Sequence, residues 1–289
     1  MYEHHFGFRV KPFAITPDPA FLYPSKQHGM AMTMLEYGLE SQAAFSLLTG
    51  EIGSGKTTLV RRLIRQMGDQ VAVGLISHTH ARFKSVHPWA VSALGIVPAD
   101  DTNVALYEAL VDSFVREYAK GRRTLLILDE AQNLSTAALE DLRLLSNVNS
   151  EKDVILQILL VGQPELREKL LRPSLRQFAQ RISVDFHLRC LDPNESRSYV
   201  HHRLEVAGGD PRLFSLQAVE LIHGQTQGIP RLMNQLCDFA LLYAFADGRK
   251  SVDADLVSQV IRDRGDVVAM PLSRPDAGAA VGLGANGSI

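Results

Sequence analysis

Gly50-Glu51-Ile52-Gly53-Ser54-Gly55-Lys56-Thr57-Thr58 is the stretch whose reading decides the fold. An apolar run, Ala43-Ala44-Phe45-Ser46-Leu47-Leu48-Thr49, precedes it and reads as a short buried strand. Apolar and basic positions then alternate at helical spacing through Leu59-Val60-Arg61-Arg62-Leu63-Ile64-Arg65. Strand, glycine-rich turn and helix together turn a G-x-x-x-x-G-K-[ST] match into a phosphate site. The glycines let the backbone curl so that successive N–H groups point inward, and the new helix adds its positive N-terminal end. Lys56 brings a point charge to the β- and γ-phosphates, and the Thr57 hydroxyl is placed to hold Mg²⁺. The stretch predicts a nucleotide site.

Downstream, Thr124-Leu125-Leu126-Ile127-Leu128-Asp129-Glu130 is the second chemical motif. Its unbroken apolar run suits a strand buried on both faces of a parallel sheet. Two carboxylates at its C-terminal end lie where open α/β sheets bind ligands. Charge and reach divide their work: Asp129 holds Mg²⁺ through its water shell, and Glu130 polarises the water that attacks the γ-phosphate. Another buried strand, Val154–Val161, ends in Gly162-Gln163-Pro164-Glu165-Leu166. An amide there can reach both the γ-phosphate and the attacking water, so Gln163 is a candidate sensor. The alternative is a glutamine that caps the proline-led helix 164–171.

Between these motifs Val71–Ser77 is a further strand, followed by His78 and His80 at i, i+2. The two are formally a metal pair, but no third ligand is evident and ordinary histidines are the favoured reading. Helical patterns cover Phe83–Leu94, Val104–Lys120 and Thr136–Ser146, the second with Leu106, Leu110, Phe114 and Tyr118 as its buried stripe. Leu175–Ile182 reads as a helix that carries Arg176 and Arg181 into a strand, Ser183–Leu188.

Residues 1–28 are rich in aromatics and proline, which forbids a continuous helix and predicts an extended segment packed on the domain that follows. Packing alone is one reading; the other sets Phe21-Leu22-Tyr23 beside the adenine of a nucleotide. Gln27–Leu39 is a first helix. From Asp192 the strand pattern stops, and helices at Pro193–Val206, Leu216–Thr226, Arg231–Phe245 and Asp253–Arg262 mark a second, all-α domain. Gly228-Ile229-Pro230-Arg231 opens its third helix, and the proline aims Arg231 from a fixed point. The expected order is a segment 1–28, an α/β nucleotide-binding domain 29–190, an all-α lid 191–264 and a disordered Gly/Ala tail 265–289.

A net charge of −2 gives no global basic field for nucleic acid and no acidic excess for disorder. Cys190 and Cys237 lack metal spacing and read as free thiols in a reducing compartment. The N-terminus has no signal-peptide pattern, and the longest apolar run, Val154–Gly162, is interrupted by Gln157 and too short for a membrane span. A cytoplasmic protein without a transmembrane segment is expected, recruitment to the inner membrane being left to a partner.

This order of parts resembles an AAA+ ATPase of the initiator-like clade, and more closely the ExeA/GspA-type family named for general secretion pathway protein A. The resemblance covers residues 1–263. It is carried by Phe6-Gly7-Phe8, Pro12-Phe13, Thr16–Tyr23, Leu48–Thr58, Asp129-Glu130-Ala131-Gln132-Asn133-Leu134 and Val161–Leu166. It implies a P-loop core of parallel sheet flanked by helices, then a small all-α lid, with ATP and Mg²⁺ as ligands. Gly50 to Thr58 match the Walker A nucleotide-binding stretch, with Thr57 also on the metal, and Asp129 and Glu130 the Walker B pair. Gln163 matches sensor 1, and Arg231 matches sensor 2, which contacts the nucleotide of its own subunit. The family's arginine finger lies near the end of the helix after sensor 1; Arg181 fits best, Arg176 is the runner-up, and a structural ion pair is the alternative for either. Secretion members typically continue into a membrane span and a peptidoglycan-binding domain, neither of which is read here, so a direct envelope anchor is not expected.

Three functions compete. The first is an oligomeric ATPase, ring or filament, that powers or regulates assembly of an envelope system through an unknown protein partner: secretion, pili or exopolysaccharide-linked export. The second is a DNA-dependent ATPase regulating target selection in transposition, with Arg61, Arg62, Arg65, Arg122 and Arg123 lining a channel. The third, a nucleotide-gated scaffold that scarcely turns over, is disfavoured by the intact Glu130.

Overall fold

The computed structural model describes residues 1–16, 19–77, 79, 85–148 and 153–264. Five strands, β1 (Phe45–Gly50), β2 (Val71–Ile76), β3 (Arg123–Leu128), β4 (Leu156–Gly162) and β5 (Ile182–Leu188), make one sheet in the order β2-β3-β4-β1-β5. All four pairings are parallel. In register, Leu47 stands beside Leu160 on one side and Asp185 on the other. The inner strands read as continuous apolar runs because helices cover both faces.

Two helices, α2 (Lys26–Glu40) and α3 (Lys56–Met67), cover one face, the first preceded by a single turn, α1 (Glu3–Phe6). Their Leu35, Leu59 and Leu63 pack with Leu48, Leu125, Ile127, Leu159 and Val161 of the sheet. Helices α4 (His87–Ala93), α5 (Asn103–Ala119), α6 (Thr136–Leu145), α7 (Pro164–Leu170) and α8 (Arg176–Ala179) cover the other. There Phe114, Leu139, Leu142 and Phe178 meet Phe45, Leu47, Leu126, Leu128, Ile158 and Leu160. Alternate residues of each strand thus feed two separate cores, as the period of two requires. Gln157, the polar interruption in β4, is 2 % exposed and donates to Gly38 O at 3.0 Å, a carbonyl that also accepts the Ala43 N–H at 2.9 Å. Because β1 lies between β4 and β5, with β3 beyond β4, the C-terminal ends of β1, β4 and β3 stand side by side.

Helices α9 (Pro193–Val206), α10 (Leu216–Thr226), α11 (Pro230–Ala246) and α12 (Ala254–Arg264) complete the chain's described part. Asp192 and Glu195 form a reciprocal capping box that starts α9 where the sheet pattern ends. Cys190 and Cys237 are free thiols. Among the described residues no helix is long and apolar enough to cross a membrane.

The structure corrects three expectations. The N-terminal segment packs chiefly into the helical domain almost two hundred residues later, while its turn Pro19–Phe21 also meets α3 of the α/β domain that follows it. Tyr2, Phe8, Phe13 and Phe21 share one buried cluster with Tyr199, Leu204, Phe214, Met233 and Leu236. The prolines keep this segment from a continuous helix, and four short helices leave apolar faces that its aromatics fill. Tyr118 does not complete the buried stripe of α5: it is 37 % exposed, and its hydroxyl donates to Asp153 Oδ2 at 2.6 Å. The helix expected over Leu175–Ile182 is a 3₁₀ turn, Pro173–Leu175, followed by the single-turn α8, because Ile182 already belongs to β5. His78, His80, the start of the helix expected from Phe83 and the tail 265–289 lie outside the described residues.

Candidate nucleotide site

Residues 51–55 join β1 to α3 as a tight loop, with Gly53 at φ +82° and Gly55 at φ +103°, conformations that favour glycine. Lys56, the first residue of α3, is 8 % exposed and turns back over the loop. Its ammonium donates to Gly50 O at 2.7 Å and to Glu51 O at 2.8 Å. Burial pushes its pKa down, while the nearby carboxylates of Glu130 and Asp129 push it up. A buried cation held only by carbonyls is a ready partner for an incoming anion.

The carboxylates at the end of β3 face this lysine. Thr57 Oγ1 donates to Asp129 Oδ2 at 3.0 Å, and the Glu130 N–H donates to Asp129 Oδ1 at 2.9 Å. Burial raises the Asp129 pKa, and these two bonds pull it back. Glu130 occupies the left-handed region at φ +55°, a conformation uncommon outside glycine. Its Oε2 accepts from Gln163 Nε2 at 3.2 Å and from Gln132 Nε2 at 2.6 Å. Gln163 stands at the N-cap position of α7 but its side chain does not cap the helix. Its amide reaches Glu130 instead, and Gln132 Oε1 accepts the Gln163 N–H at 3.1 Å. Gln132 is thus a site residue that pattern reasoning left unassigned, although it stands inside the quoted run Asp129–Leu134. Thr79, whose hydroxyl donates to Glu130 O, had no sequence signal at all.

A cavity of about 510 Å³ opens from the loop toward the helical domain. Ile52 to Thr58, Glu130, Gln163 and Arg231 line its phosphate-loop end. Phe21, Tyr23, Tyr199, Arg203 and Asn234 line the other, which places the Phe21-Leu22-Tyr23 stretch on the cavity wall. Tyr199 donates to Asn234 Oδ1 at 2.7 Å. Arg203, 7 % exposed, donates to Pro12 O at 2.6 Å and Ala14 O at 3.1 Å, with its guanidinium 4.5 Å from the centre of the Phe21 ring. Arg231 lies at the start of α11, its N–H donating to Gly53 O at 3.3 Å. A Cβ on Gly53 would stand 2.4 Å from Arg231 Cβ, so this glycine is what allows lid and loop to touch.

Arg181 is not brought into the cavity. Its guanidinium donates to Arg143 O at 3.1 Å and Ser146 Oγ at 2.7 Å, tying α8 to the end of α6. Arg176 is exposed and makes no side-chain hydrogen bond or ion pair among the described residues. Of the five arginines considered for a DNA channel, Arg122 is bound to Glu117 and Arg123 donates to Leu39 O. Arg61, Arg62 and Arg65 are exposed on α3 and unpaired among the described residues.

A family model described as an AAA domain matches residues 39–170. General secretion pathway protein A from Aeromonas hydrophila is 38 % identical over 258 residues, which is 89 % of this chain and 47 % of that protein. This chain therefore spans about half the length of that relative. Among solved structures, the Aeropyrum pernix ORC2 protein (ADPNP-ADP complexes) matches with a TM-score of 0.67 at 20 % identity, over 90 % of this chain and 72 % of that one. Cdc6p from Pyrobaculum aerophilum matches with a TM-score of 0.63 at 18 % identity, over 85 % and 71 %. At such identities these two show a shared fold: a parallel sheet between helices, with a helical C-terminal part. The Aeromonas relative and the AAA-domain match together show that this chain carries an AAA domain and is related, over 89 % of its length, to General secretion pathway protein A.

Proposed function

We propose that this chain is a Mg²⁺-dependent ATPase that works as an oligomer. The observation that supports this most is the convergence of Lys56, the Thr57–Asp129 pair and Glu130 with Gln163 at one end of the cavity. Thr57 and Asp129 fit Mg²⁺, because that ion takes one or two protein oxygens and fills its remaining positions with phosphates and water. Once bound, the ion neutralises charge that develops on the phosphate oxygens. Lys56, now on the Gly50 and Glu51 carbonyls, would serve the phosphates, and the Thr57 hydroxyl and Asp129 carboxylate would be the residues that hold the ion. Glu130, aligned by the Gln163 and Gln132 amides, accepts a proton from the attacking water. Arg231 meets the nucleotide from the lid of the same chain. An arginine at or just after α8 reaches the nucleotide of a neighbouring subunit; Arg176, unpaired among the described residues, is available for this, whereas Arg181 is engaged by Arg143 O and Ser146 Oγ. Lys56→Ala should abolish ATP binding, whereas Glu130→Gln should bind ATP and not turn it over. Parental hydrolysis by Glu130→Gln would overturn the role given to that carboxylate.

The kinship with General secretion pathway protein A supports a role in powering or regulating assembly of a bacterial envelope system. The ATPase would act from the cytoplasmic side and be recruited to the inner membrane by a protein partner. Arg61, Arg62 and Arg65 on α3, exposed and unpaired among the described residues, favour a second reading, a DNA-dependent ATPase regulating transposition targets. Phosphate contacts release counterions, so duplex affinity would then fall steeply as salt rises. A salt series on ATP-loaded Glu130→Gln protein separates the two readings: absence of duplex binding at about 50 mM salt sinks the DNA role.

A further inference from the structure

We propose that His28 is a positioning residue for the phosphate loop, fixing the Ser54–Gly55 peptide so that the Gly55 N–H faces the phosphates. The proposal rests on the nucleotide reading of the cavity.

His28 is the third residue of α2, and the N-cap of that helix, Ser25, accepts the His28 N–H through its side chain at 3.2 Å. The same hydroxyl lies 2.8 Å from His28 Nδ1, while Nε2 lies 3.2 Å from Ser54 O. A carbonyl only accepts, so Nε2 carries the proton. In the neutral ring Nδ1 then accepts the Ser25 hydroxyl proton, and the serine uses both its donor and a lone pair on one residue. The ring is 7 % exposed, and burial holds the imidazole pKa below its ordinary value, in keeping with a neutral ring.

A trans peptide points its C=O and N–H in opposite directions, and the described chain has no cis bonds. With Ser54 O drawn to His28, the Gly55 N–H of the same peptide points away from the ring. That N–H makes no hydrogen bond among the described residues, and Gly55 lines the cavity. A Cβ on Gly55 would stand 2.8 Å from His28 Nε2, so glycine here admits the ring directly onto the loop. The arrangement is a donor oriented before its anion arrives, the kind of preorganisation that makes a helix N-terminus bind phosphate. His28 does this without touching the nucleotide's phosphates itself. It also joins the cavity's two ends, since α2 continues the segment that carries Phe21 and Tyr23.

The test compares His28→Leu, which fills the space without a donor, with His28→Gln, whose amide nitrogen can reach the position of Nε2. Binding of a fluorescent ATP analogue is measured, with inorganic tripolyphosphate as competitor and thermal melting as the check on folding. His28→Leu should weaken both the analogue and tripolyphosphate by about tenfold, the order expected for one lost buried hydrogen bond. His28→Gln should recover most of that loss in both. Parental affinities in His28→Leu overturn the proposal. So does a loss confined to the ATP analogue, which would place His28's effect on the base side, and so does a Gln variant no better than Leu. If His28→Leu does not fold, Ser25→Ala decides: removing the Nδ1 anchor should weaken tripolyphosphate about threefold, and an unchanged value overturns the proposal. Failure of the parental protein to bind the ATP analogue would sink the nucleotide reading itself, a distinguishable result.

Discussion

At the scale of single residues, the phosphate loop illustrates what a pattern encodes and what it leaves open. The G-x-x-x-x-G-K-[ST] pattern requires Gly50 and Gly55 but says nothing about Gly53. The structure gives that position its own reason: φ +82° and a lid helix pressed against the α-carbon. Gly53→Ala should therefore cost about 1–3 kcal/mol through backbone strain, and must also displace the start of α11. Urea unfolding would read the stability loss, and nucleotide affinity should fall together with it. An alanine variant with unchanged urea midpoint and affinity would show that lid and loop do not meet in solution. Gln132 makes the complementary point, since an ordinary glutamine two residues beyond the motif shares Glu130 with Gln163 at 2.6 Å. Gln132→Ala should bind ATP like the parent and hydrolyse it about tenfold more slowly, because one of the amides orienting the base is lost.

At the scale of elements, α8 is the informative case. Its four residues, Arg176–Ala179, begin with one arginine, a second, Arg181, follows two residues after its end, and the two differ in employment. Arg181 holds the end of α6, so Arg181→Ala should destabilise the fold by about 1–3 kcal/mol through carbonyl and hydroxyl partners left unserved. Arg176 holds no partner among the described residues, and Arg176→Ala should leave stability within about 0.5 kcal/mol. If α8 supplies a finger to a neighbour, Arg176→Ala should bind ATP normally and lose most turnover, by roughly 10³-fold or more. Mixing it with the inactive Lys56→Ala protein should restore part of the activity, because Lys56→Ala subunits then offer Arg176 to filled neighbours. Rescue of Arg181→Ala instead would return the role to Arg181, and rescue of neither in a co-assembled mixture would remove the trans arrangement.

At the scale of the whole molecule, the first residues and the last domain form one unit. Phe13 is 1 % exposed among the lid helices, and Arg203 of α9 grips the carbonyls of Pro12 and Ala14. Lys11 pairs with Asp238 at 2.9 Å, and the Tyr2 hydroxyl donates to the same carboxylate. Phe13→Ala should cost about 3–5 kcal/mol, the range for emptying a buried aromatic site. Hydrogen exchange should show the loss in α9 to α11 rather than in the sheet. Protection lost first from β1 and α2 would contradict this packing.

Strand positions, the loop between β1 and α3, and the acidic end of β3 were legible in the sequence alone, because each is set by contacts within a few residues: apolar runs, glycine conformations, a helix start. The family resemblance followed from the order of those local signals. Gln163 was legible as a polar strand end, but only packing decided between capping α7 and reaching Glu130. The place of the N-terminal aromatics, the employment of Arg181, the exposure of Tyr118 and the seat of His28 on the loop depend on residues tens to hundreds of positions apart. Local propensity carries no information about such pairings: a phenylalanine among prolines has the same periodicity whichever core receives it. Tertiary structure decides them by which apolar faces remain uncovered, and by which buried polar groups still need a partner, once the strands and helices have formed.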